Sequence, residues 1–257
     1  MLASCLSFAI MGAMVKTLAR DLPNETIVFL RSAIGFVALM PWLFRRGIPR
    51  LATRHLRWHL ARGLAGLAAM YCFFFALAHM PLAEATLLNY STPLFIPFIA
   101  TLWLHEHTSR TVWWAIGAGF AGIALILKPG IGLFTGVALV GLCAGLFAAT
   151  AMVNIRRLTH TEPTARIVFY FSAIATIVSA LPLAWGWRTP TPALWLPLAV
   201  MGVSGTAAQL FLTRAYAYAP AAQIGPFIYV TVIFAGAIGW WVWNERLDML
   251  SVLDIAF

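Results

Sequence analysis

Long blocks of apolar residues fill this chain, and short polar segments separate them. Each block is close to the roughly 20 apolar residues that a helix needs to cross the hydrocarbon core of a bilayer. The pattern predicts nine such helices and the beginning of a tenth near residue 249, which is cut off at Phe257. The predicted bounds are 2–19, 26–44, 61–80, 82–104, 112–128, 133–154, 165–187, 193–218 and 221–243.

Composition supports a membrane setting for these helices. The 257 residues are 62% hydrophobic and 10% charged, whereas soluble domains carry about 25% charged residues. A soluble fold of this length could not cover so much apolar surface, so the lipid bilayer is the expected surrounding. The net charge of +9 comes mainly from basic residues in loops, as membrane topology requires, and no nucleic-acid partner is expected.

The loop between the second and third predicted helices gives the expected orientation. Cytoplasmic loops of membrane proteins carry an excess of Lys and Arg, and this loop is rich in arginine. We therefore expect the loop and the N-terminus to lie in the cytoplasm, in a multi-pass protein of the inner (cytoplasmic) membrane. The arginines counted to this loop are Arg45, Arg46, Arg50, Arg54, Arg57 and Arg62.

Two parts of the sequence look like copies of one another. Residues 71–107 align without a gap with residues 210–246, which lie 139 positions later. In a membrane protein, one unit used twice points toward transport. The identical pairs include Pro81 and Pro220, Tyr90 and Tyr229, Thr92 and Thr231, and Glu106 and Glu245.

The number of helices in each copy predicts how the copies are related. The first repeat is expected to cover residues 1–130 and the second residues 131–257, with five helices each. Because five is odd, the second copy enters the membrane in the opposite sense. The expected fold is an all-α polytopic membrane protein of two inverted five-helix repeats. Ten spans are expected with the last truncated here, and the natural chain is expected to continue past Phe257.

Polar segments broken by proline occur at corresponding positions of the two copies. The fourth helix contains Asn89-Tyr90-Ser91-Thr92-Pro93, and the ninth contains Gly225-Pro226 followed by Tyr229. Backbone groups freed by proline must face protein or a water-filled cavity, and broken helices in both halves point to a transport site. The alternative is a plain proline kink whose hydroxyls bond back to their own helix.

Two arginines fall inside predicted spans, where a charge is costly. Arg31 lies a turn into the second helix. It either contacts an anionic substrate or a gate, or it snorkels outward or pairs with Asp21 or Glu25. Arg214, in the eighth helix, either binds an anion or snorkels to the interface.

Glu106 and Glu245 end the fourth and ninth predicted helices. A carboxylate there can accept backbone N–H groups at the start of the next helix, where negative charge is favoured. A structural role at the helix ends is therefore expected for both residues, and proton coupling is the alternative.

Catalytic motifs are missing from the sequence. It contains no HExxH, no GxxxxGK[ST] loop and no Cys/His cluster with metal-ligand spacing. Cys5, Cys72 and Cys143 lie in apolar blocks and are expected to be free thiols. We therefore expect neither an enzyme nor a cofactor or metal. The competing hypotheses are a membrane-embedded enzyme acting on lipid or prenyl substrates, which needs clustered acids or histidines, and a non-transporting membrane scaffold.

Several motifs together resemble the EamA-like transporters of the drug/metabolite transporter superfamily, over essentially the whole chain. In the first half they are Leu30-Arg31, Pro93-Leu94-Phe95, and Leu104-His105-Glu106-His107 followed by Gly117-xxxx-Gly122. In the second half they are Ala215-Tyr216-Ala217-Tyr218-Ala219-Pro220 and Trp243-Asn244-Glu245-Arg246-Leu247. Val232 stands where the family often has a proline, so the break in the ninth helix is expected earlier, at Pro226.

This resemblance implies a function and a mechanism. The expected protein is a secondary active transporter, an exporter or exchanger, that moves a small polar organic metabolite such as an amino acid by alternating access. Protons or a counter-substrate are the expected coupling partners, and the protein is expected to be a monomer or homodimer. The central cavity would be lined by helices three, four, eight and nine. The expected substrate contacts are Tyr71, Asn89, Tyr90, Gln209, Tyr216 and Tyr229.

Overall fold

The computed structural model describes residues 1–46, 52–89, 91–104, 114, 136–218 and 225–245. Within these residues every regular element is helical, which confirms the all-α prediction. Apart from Trp114, the predicted fifth span lies outside the described residues. The predicted tenth span, Tyr90 and Glu106 also lie outside them.

The first half forms five helical segments over the described residues. The second helix extends beyond its predicted bounds at both ends, and the third begins five residues earlier than predicted. Arg57, which the sequence placed in the loop, therefore lies in the third helix together with Arg62. The segments are α1 (Leu2–Leu18), α2 (Asn24–Arg46), α3 (Leu56–His79), α4 (Leu82–Asn89) and α5 (Thr92–Leu104).

The second half also forms five helical segments over the described residues. Short 3₁₀ turns, Pro192–Leu194 and Gly225–Tyr229, precede the last two described helices. The predicted seventh span ends early because the chain turns at Ala180–Pro182 before a single further helical turn. The segments are α6 (Gly136–Thr159), α7 (Thr164–Ser179), α8 (Leu183–Gly186), α9 (Trp195–Tyr218) and α10 (Val230–Trp243).

The predicted fourth span is divided between α4 and α5. Pro93 lies in the first turn of α5, where its missing N–H costs nothing because that donor has no partner inside the helix. The side chains around the break satisfy carbonyls at the end of α4. Ser91 Oγ donates to the Leu88 carbonyl at 2.7 Å, and Thr92 Oγ1 donates to the Asn89 carbonyl at 2.6 Å.

Several of these helices have the length and composition of membrane spans. Among the described residues, α3, α6, and α9 with its preceding turn are long and apolar enough to cross a bilayer. Three more apolar helices, over Leu2–Leu18, Thr164–Ser179 and Phe227–Trp243, are shorter. Large apolar side chains such as Trp240 and Trp241 stay exposed on the outside of the bundle, as expected for a surface that faces lipid.

The two halves pack against each other in matched pairs. Helix α1 packs on α9, and α6 packs on α3; α2 packs on α9, and α7 packs on α3. Helix α1 also contacts α10, while α6 contacts α4 and α5. Each of these contacts made by a helix of the first half thus has a counterpart made by the equivalent helix of the second half. The largest apolar core lies between the halves, since it joins residues of α1–α4 to residues of α6, α7, α9 and α10.

Candidate functional site

A cavity of about 100 Å³, measured as space open to the centre of a water molecule, lies between the two halves. Most of its described lining is apolar, including Phe8, Phe73 and Phe74. None of the described lining residues is acidic. The polar side chains that line it are Ser4, Arg31, Arg62, Asn89, Thr92, Gln209 and Thr231.

The cavity occupies one end of the helix bundle. Helix α1 contributes residues from its first part, up to Met11, and α3 contributes residues from Arg62 to Phe74. Helix α6 contributes residues from its last part, Ala148 to Ile155. The cavity therefore extends from the middle of the bundle toward the end at which α1 begins and α6 finishes.

Arg62 lies at the wall of this cavity and is 2% exposed. Its Nη2 donates to Gln209 Oε1 at 2.8 Å, and its Cζ lies 3.9 Å from the centroid of the Phe171 ring. Gly66, one turn further along α3, makes room for the guanidinium. By sequence, Arg62 counts with the loop arginines although the predicted third helix begins at residue 61; the structure places it inside α3, hydrogen-bonded to Gln209 of α9.

Arg31 is also buried, with 2% of its surface exposed, and its Cζ lies 5.7 Å from the centroid of the same Phe171 ring. It makes no hydrogen bond or ion pair with any described residue, and its Nε is buried without a partner. Snorkelling and pairing with Asp21 or Glu25 are therefore not what the structure shows. Arg31 lines the cavity, and α9 approaches its guanidinium closely at Gly205.

The structure brings together part of the predicted substrate-contact set. Asn89 and Gln209 line the cavity. The described lining does not include Tyr71, Tyr216 or Tyr229.

Each of these three tyrosines packs elsewhere among the helices. Tyr71 accepts a hydrogen bond at its carbonyl from Asn24 Nδ2, at 3.1 Å. Tyr216 packs against the cluster of Ile155, Leu158 and Ile167. Tyr229 packs against the cluster that includes Ile228.

Arg214 lies outside the described cavity lining. It is exposed, and its Cζ is 5.6 Å from the centroid of the Tyr218 ring. Both alternatives for this residue, anion binding and snorkelling, stay predictions.

The site residues predicted from the sequence leave out four that shape the polar part of the cavity: Thr92, Thr231, Arg62 and Phe171. Thr92 and Thr231 are an identical pair at the 139-residue offset, and the structure places both in the cavity wall. That offset, together with the polar run before Pro93 that contains Thr92, was the signal that could have identified them. Phe171 aligns with Arg31 at an offset of 140 residues. Arg62 carried no comparable signal, since its importance depends on how α3 and α7 pack.

Glu245 joins the two halves at the other end of the bundle. Its Oε1 lies 2.8 Å from Lys16 Nζ, and its Oε2 accepts a hydrogen bond from the backbone N–H of Leu82 at 3.0 Å. Lys16 Nζ also donates to the Met80 carbonyl at 2.7 Å. Glu245 thus accepts a backbone N–H at a helix start, but the helix is α4 of the first half rather than the next helix along the chain.

The backbone after α10 directs Glu245 to this position. Asn244 has φ 56° and ψ 31°, a left-handed conformation that Asn tolerates better than most residues. The Glu245 N–H then bonds back to the Gly239 carbonyl at 3.2 Å. A Cβ at Gly239 would lie 2.8 Å from Glu245 Oε2, so glycine at that position allows the carboxylate to approach the helix.

A second acidic residue joins the halves near the start of α3. Glu162 lies between α6 and α7 and is 6% exposed. It accepts a hydrogen bond from Thr53 Oγ1 at 2.5 Å and pairs with Arg166. His59 Nε2 lies 3.9 Å from it. Helix α3, which runs for 24 residues or about 36 Å, separates this cluster from the one around Glu245.

The charge state of Glu162 is expected to make stability depend on pH. Burial alone raises the pKa of Glu162, but hydrogen bonds from Thr53 and Arg166 and the charges of Arg166 and His59 outweigh it, so the pKa lies below its ordinary 4.5. The stability that this carboxylate contributes is therefore complete above that pH and is lost as pH falls through the lower folded-state pKa. The thermal midpoint of the wild type should exceed that of Glu162→Gln by a constant amount from about pH 7 to about pH 5, and the difference should shrink below that range.

Thermal denaturation of the two proteins in detergent, across a pH series, measures this difference. Ser204→Ala, a change at a partly buried hydroxyl on α9, controls for a general effect of substitution. A difference that stays constant to the lowest pH at which both proteins fold would contradict the assignment.

Comparison with known proteins identifies the family. The family model described as "EamA-like transporter family" matches residues 1–128 and 135–257. The chain is 37% identical to the pseudopaline exporter CntI of Pseudomonas aeruginosa, over 96% of this chain and 87% of that protein. It is 29% identical to a riboflavin transporter of Vibrio cholerae, over 100% and 90% of the two chains.

A more distant relative and a solved structure agree with this result. The S-adenosylmethionine uptake transporter of Rickettsia felis is 28% identical, over 96% of this chain and 84% of that protein. A protein of known crystal structure matches with a TM-score of 0.68 at 19% identity, over 99% and 92% of the two chains, which shows the fold alone. These relatives are named transporters and not enzymes, in agreement with the prediction from the sequence. The chain belongs to the EamA-like transporter family.

Proposed function

We propose that this protein moves a small polar organic metabolite across the cytoplasmic membrane by alternating access. The observation that carries the proposal is the cavity between the halves, where buried or partly buried polar groups from both halves face one space. Gln209 and Thr231 come from the second half, and Asn89 and Thr92 come from the first. Polar groups are costly in an apolar surrounding, and a membrane scaffold would not need a polar cavity at its centre.

The two halves are proposed to be the moving units, divided near residue 130 and inverted relative to each other. Their matched packing supports this division, because a pair of equivalent bodies can rock about the shared interface. In the structure, the Lys16–Glu245 pair holds the halves together at the end away from the cavity. With the topology expected from the loop arginines, the cavity lies toward the cytoplasm, and the ion pair closes the outer face.

The names of the relatives support a small-molecule solute but not one particular solute. One is named as an exporter and another as an uptake transporter, so direction differs within the family. We propose an exporter or exchanger coupled to protons or to a counter-substrate, working as a monomer or homodimer. The inner membrane with the N-terminus in the cytoplasm is the proposed location.

Transport by purified protein in proteoliposomes tests the proposal. Labelled riboflavin, S-adenosylmethionine, glutamate and succinate form the panel, and saturable uptake of at least one solute is expected. Asn89→Ala and Gln209→Ala should each lower that uptake about tenfold or more, since each removes a hydrogen-bonding group from the cavity wall, and Gln209→Ala also leaves Arg62 unpaired. Phe211→Ala, on the exposed side of α9, is the matched control and should transport normally.

Two outcomes would count against the proposal. No saturable uptake of any solute in the panel would contradict transport as the function. Saturable uptake that both cavity variants leave unchanged would show that the solute passes elsewhere in the protein.

A further inference from the structure

The two buried arginines of the cavity have no described acid to balance their charge. Arg31 and Arg62 are each 2% exposed, and both lie against Phe171. The described cavity lining supplies neutral partners only, of which Gln209 accepts one hydrogen bond from Arg62. Two guanidinium charges therefore share one apolar space, and the Nε atoms of both are buried without a partner.

Such an arrangement is costly unless something else neutralises it. A guanidinium stays charged at neutral pH, so it cannot escape the cost of burial by losing its proton. Buried charges in proteins are normally paired. Among the described residues the two arginines lack such a partner, and both groups face the cavity. An anion bound in the cavity would supply the partner that the described residues lack.

The fold makes room for both guanidinium groups at equivalent positions of the repeat. Gly66 and Gly205 are 139 residues apart, the offset that relates the two halves. A Cβ at Gly66 would lie 2.3 Å from Arg62 Nη1, and a Cβ at Gly205 would lie 2.9 Å from Arg31 Nε. Any side chain larger than glycine would therefore have to push a guanidinium aside at either position.

The lining also indicates what kind of anion fits. A guanidinium offers parallel N–H donors that match the two oxygens of a carboxylate. The cavity wall is mainly apolar and includes the rings of Phe73, Phe74 and Phe171, of which Phe171 lies against both arginines. A bare inorganic ion would leave those surfaces without a partner, whereas the carbon skeleton of an organic acid would cover them.

We propose that the transported solute carries a carboxylate and that Arg31 and Arg62 bind this group in the cavity. The inference rests on the proposed transport function and narrows its substrate class to organic acids. Gln209 positions Arg62 through its hydrogen bond, and Phe171 supports both guanidinium planes. Phe171 lies 140 residues after Arg31, at the equivalent position of the second half. The contact between Arg31 and Phe171 therefore joins the two halves.

Thermal unfolding of the full chain in detergent tests the binding site directly. The probes are succinate against succinamide and nicotinate against nicotinamide, each pair compared at one ionic strength. The two carboxylates should raise the thermal midpoint of the wild type by about 3 °C or more, and the two amides should not. The shift should be lost in Arg31→Met and in Arg62→Met. It should remain in Arg20→Met, which removes an exposed charge outside the cavity.

The midpoint without any ligand separates a binding role from a structural one. Arg31 has no described partner, so Arg31→Met should unfold at the same temperature as the wild type or at a higher one, because it removes an unpaired buried charge. A lower midpoint for Arg31→Met would show that the arginine supports the fold, and it would overturn the proposal. Equal stabilisation by amides and carboxylates, or no stabilisation by either, would overturn it as well.

Uptake into proteoliposomes separates failure of this inference from failure of the transport function. Saturable uptake of succinate or nicotinate that falls at least tenfold in Arg31→Met supports the inference. Saturable uptake of riboflavin alone, unchanged in Arg31→Met and Arg62→Met, would refute the carboxylate site while leaving transport in place. Absence of saturable uptake for every probe would refute the transport function itself.

Discussion

Replacing Glu245 with glutamine is expected to lower transport about tenfold or more while the helices stay folded. Glutamine can still accept the hydrogen bond from the Leu82 N–H through its carbonyl oxygen, but it loses the negative charge that Lys16 faces at 2.8 Å. The side chains of Lys16 and Glu245 are 15% and 21% exposed, so solvent weakens the pair only in part. Breaking a fully buried pair costs about 3–5 kcal/mol, and partial exposure reduces this to about 2 kcal/mol.

That loss is large on the scale of a conformational equilibrium. About 2 kcal/mol corresponds to roughly a 30-fold change in an equilibrium constant. In the proposed cycle the ion pair closes one face of the protein while the cavity faces the other. A protein without the ion pair spends less time in the conformation in which that face is closed and the cavity is open to the other side. The transport rate should fall for that reason and not because the fold is lost.

Uptake assays and circular dichroism on the same samples distinguish these effects. Lys16→Arg preserves the ion pair and should keep most of the activity. In a double-mutant cycle, Lys16→Met combined with Glu245→Gln should be less damaging than the sum of the single changes, since neither charge is left alone. Strict additivity of the two changes would show that the pair does not act as a unit.

Gly145→Ala is expected to cause the largest loss of stability of the changes considered. Helix α6 approaches the break between α4 and α5 at this glycine. A Cβ there would lie 2.2 Å from Ser91 Oγ, 3.0 Å from the Leu88 carbonyl oxygen and 3.2 Å from the Asn89 carbonyl oxygen. Two of these three atoms belong to the backbone, so the helices must move apart and cannot simply rotate a side chain.

Overpacking of this kind costs about 1–3 kcal/mol and should lower the thermal midpoint by several degrees. The cost also includes the contact between Thr92 Oγ1 and the Gly145 carbonyl, at 3.3 Å. Gly136→Ala is the matched control on the same helix, because a Cβ at Gly136 would meet nothing within 4 Å. Equal midpoints for the two variants in detergent would show that α6 does not pack this closely.

Residues around the break show how far sequence reasoning could go. The polar run Asn89-Tyr90-Ser91-Thr92 before Pro93 predicted an interrupted helix near a cavity, and the structure has the interruption there and places Asn89 and Thr92 in the cavity wall. Local chemistry was sufficient for this result. Proline removes a backbone donor from the helix, and the neighbouring hydroxyls donate hydrogen bonds to the carbonyls that are left free. The same reasoning applies to the turn before α10, where Gly225 and Pro226 precede the helix.

The tyrosines show where that reasoning stopped. Tyr71, Tyr216 and Tyr229 were selected because they are polar and lie in the expected spans, but the described cavity lining includes none of them. Which side of a helix faces the cavity depends on its rotation against its neighbours. That rotation follows from side-chain packing between elements far apart in the sequence. A helix that is apolar on all sides has little hydrophobic periodicity, so its sequence does not indicate which side faces the cavity.

Apolar block length, loop charge and the 139-residue repeat determined by themselves that this is an all-α membrane protein made of two related halves. These properties follow from the cost of placing polar groups in lipid, which acts on each segment separately. The tertiary structure decided the composition of the site. Only the packing of α7 and α9 against α2 and α3 brings Arg31, Arg62 and Phe171 together and leaves the two charges facing one cavity. The role of these three residues depends on contacts between the halves, which no single segment of sequence specifies.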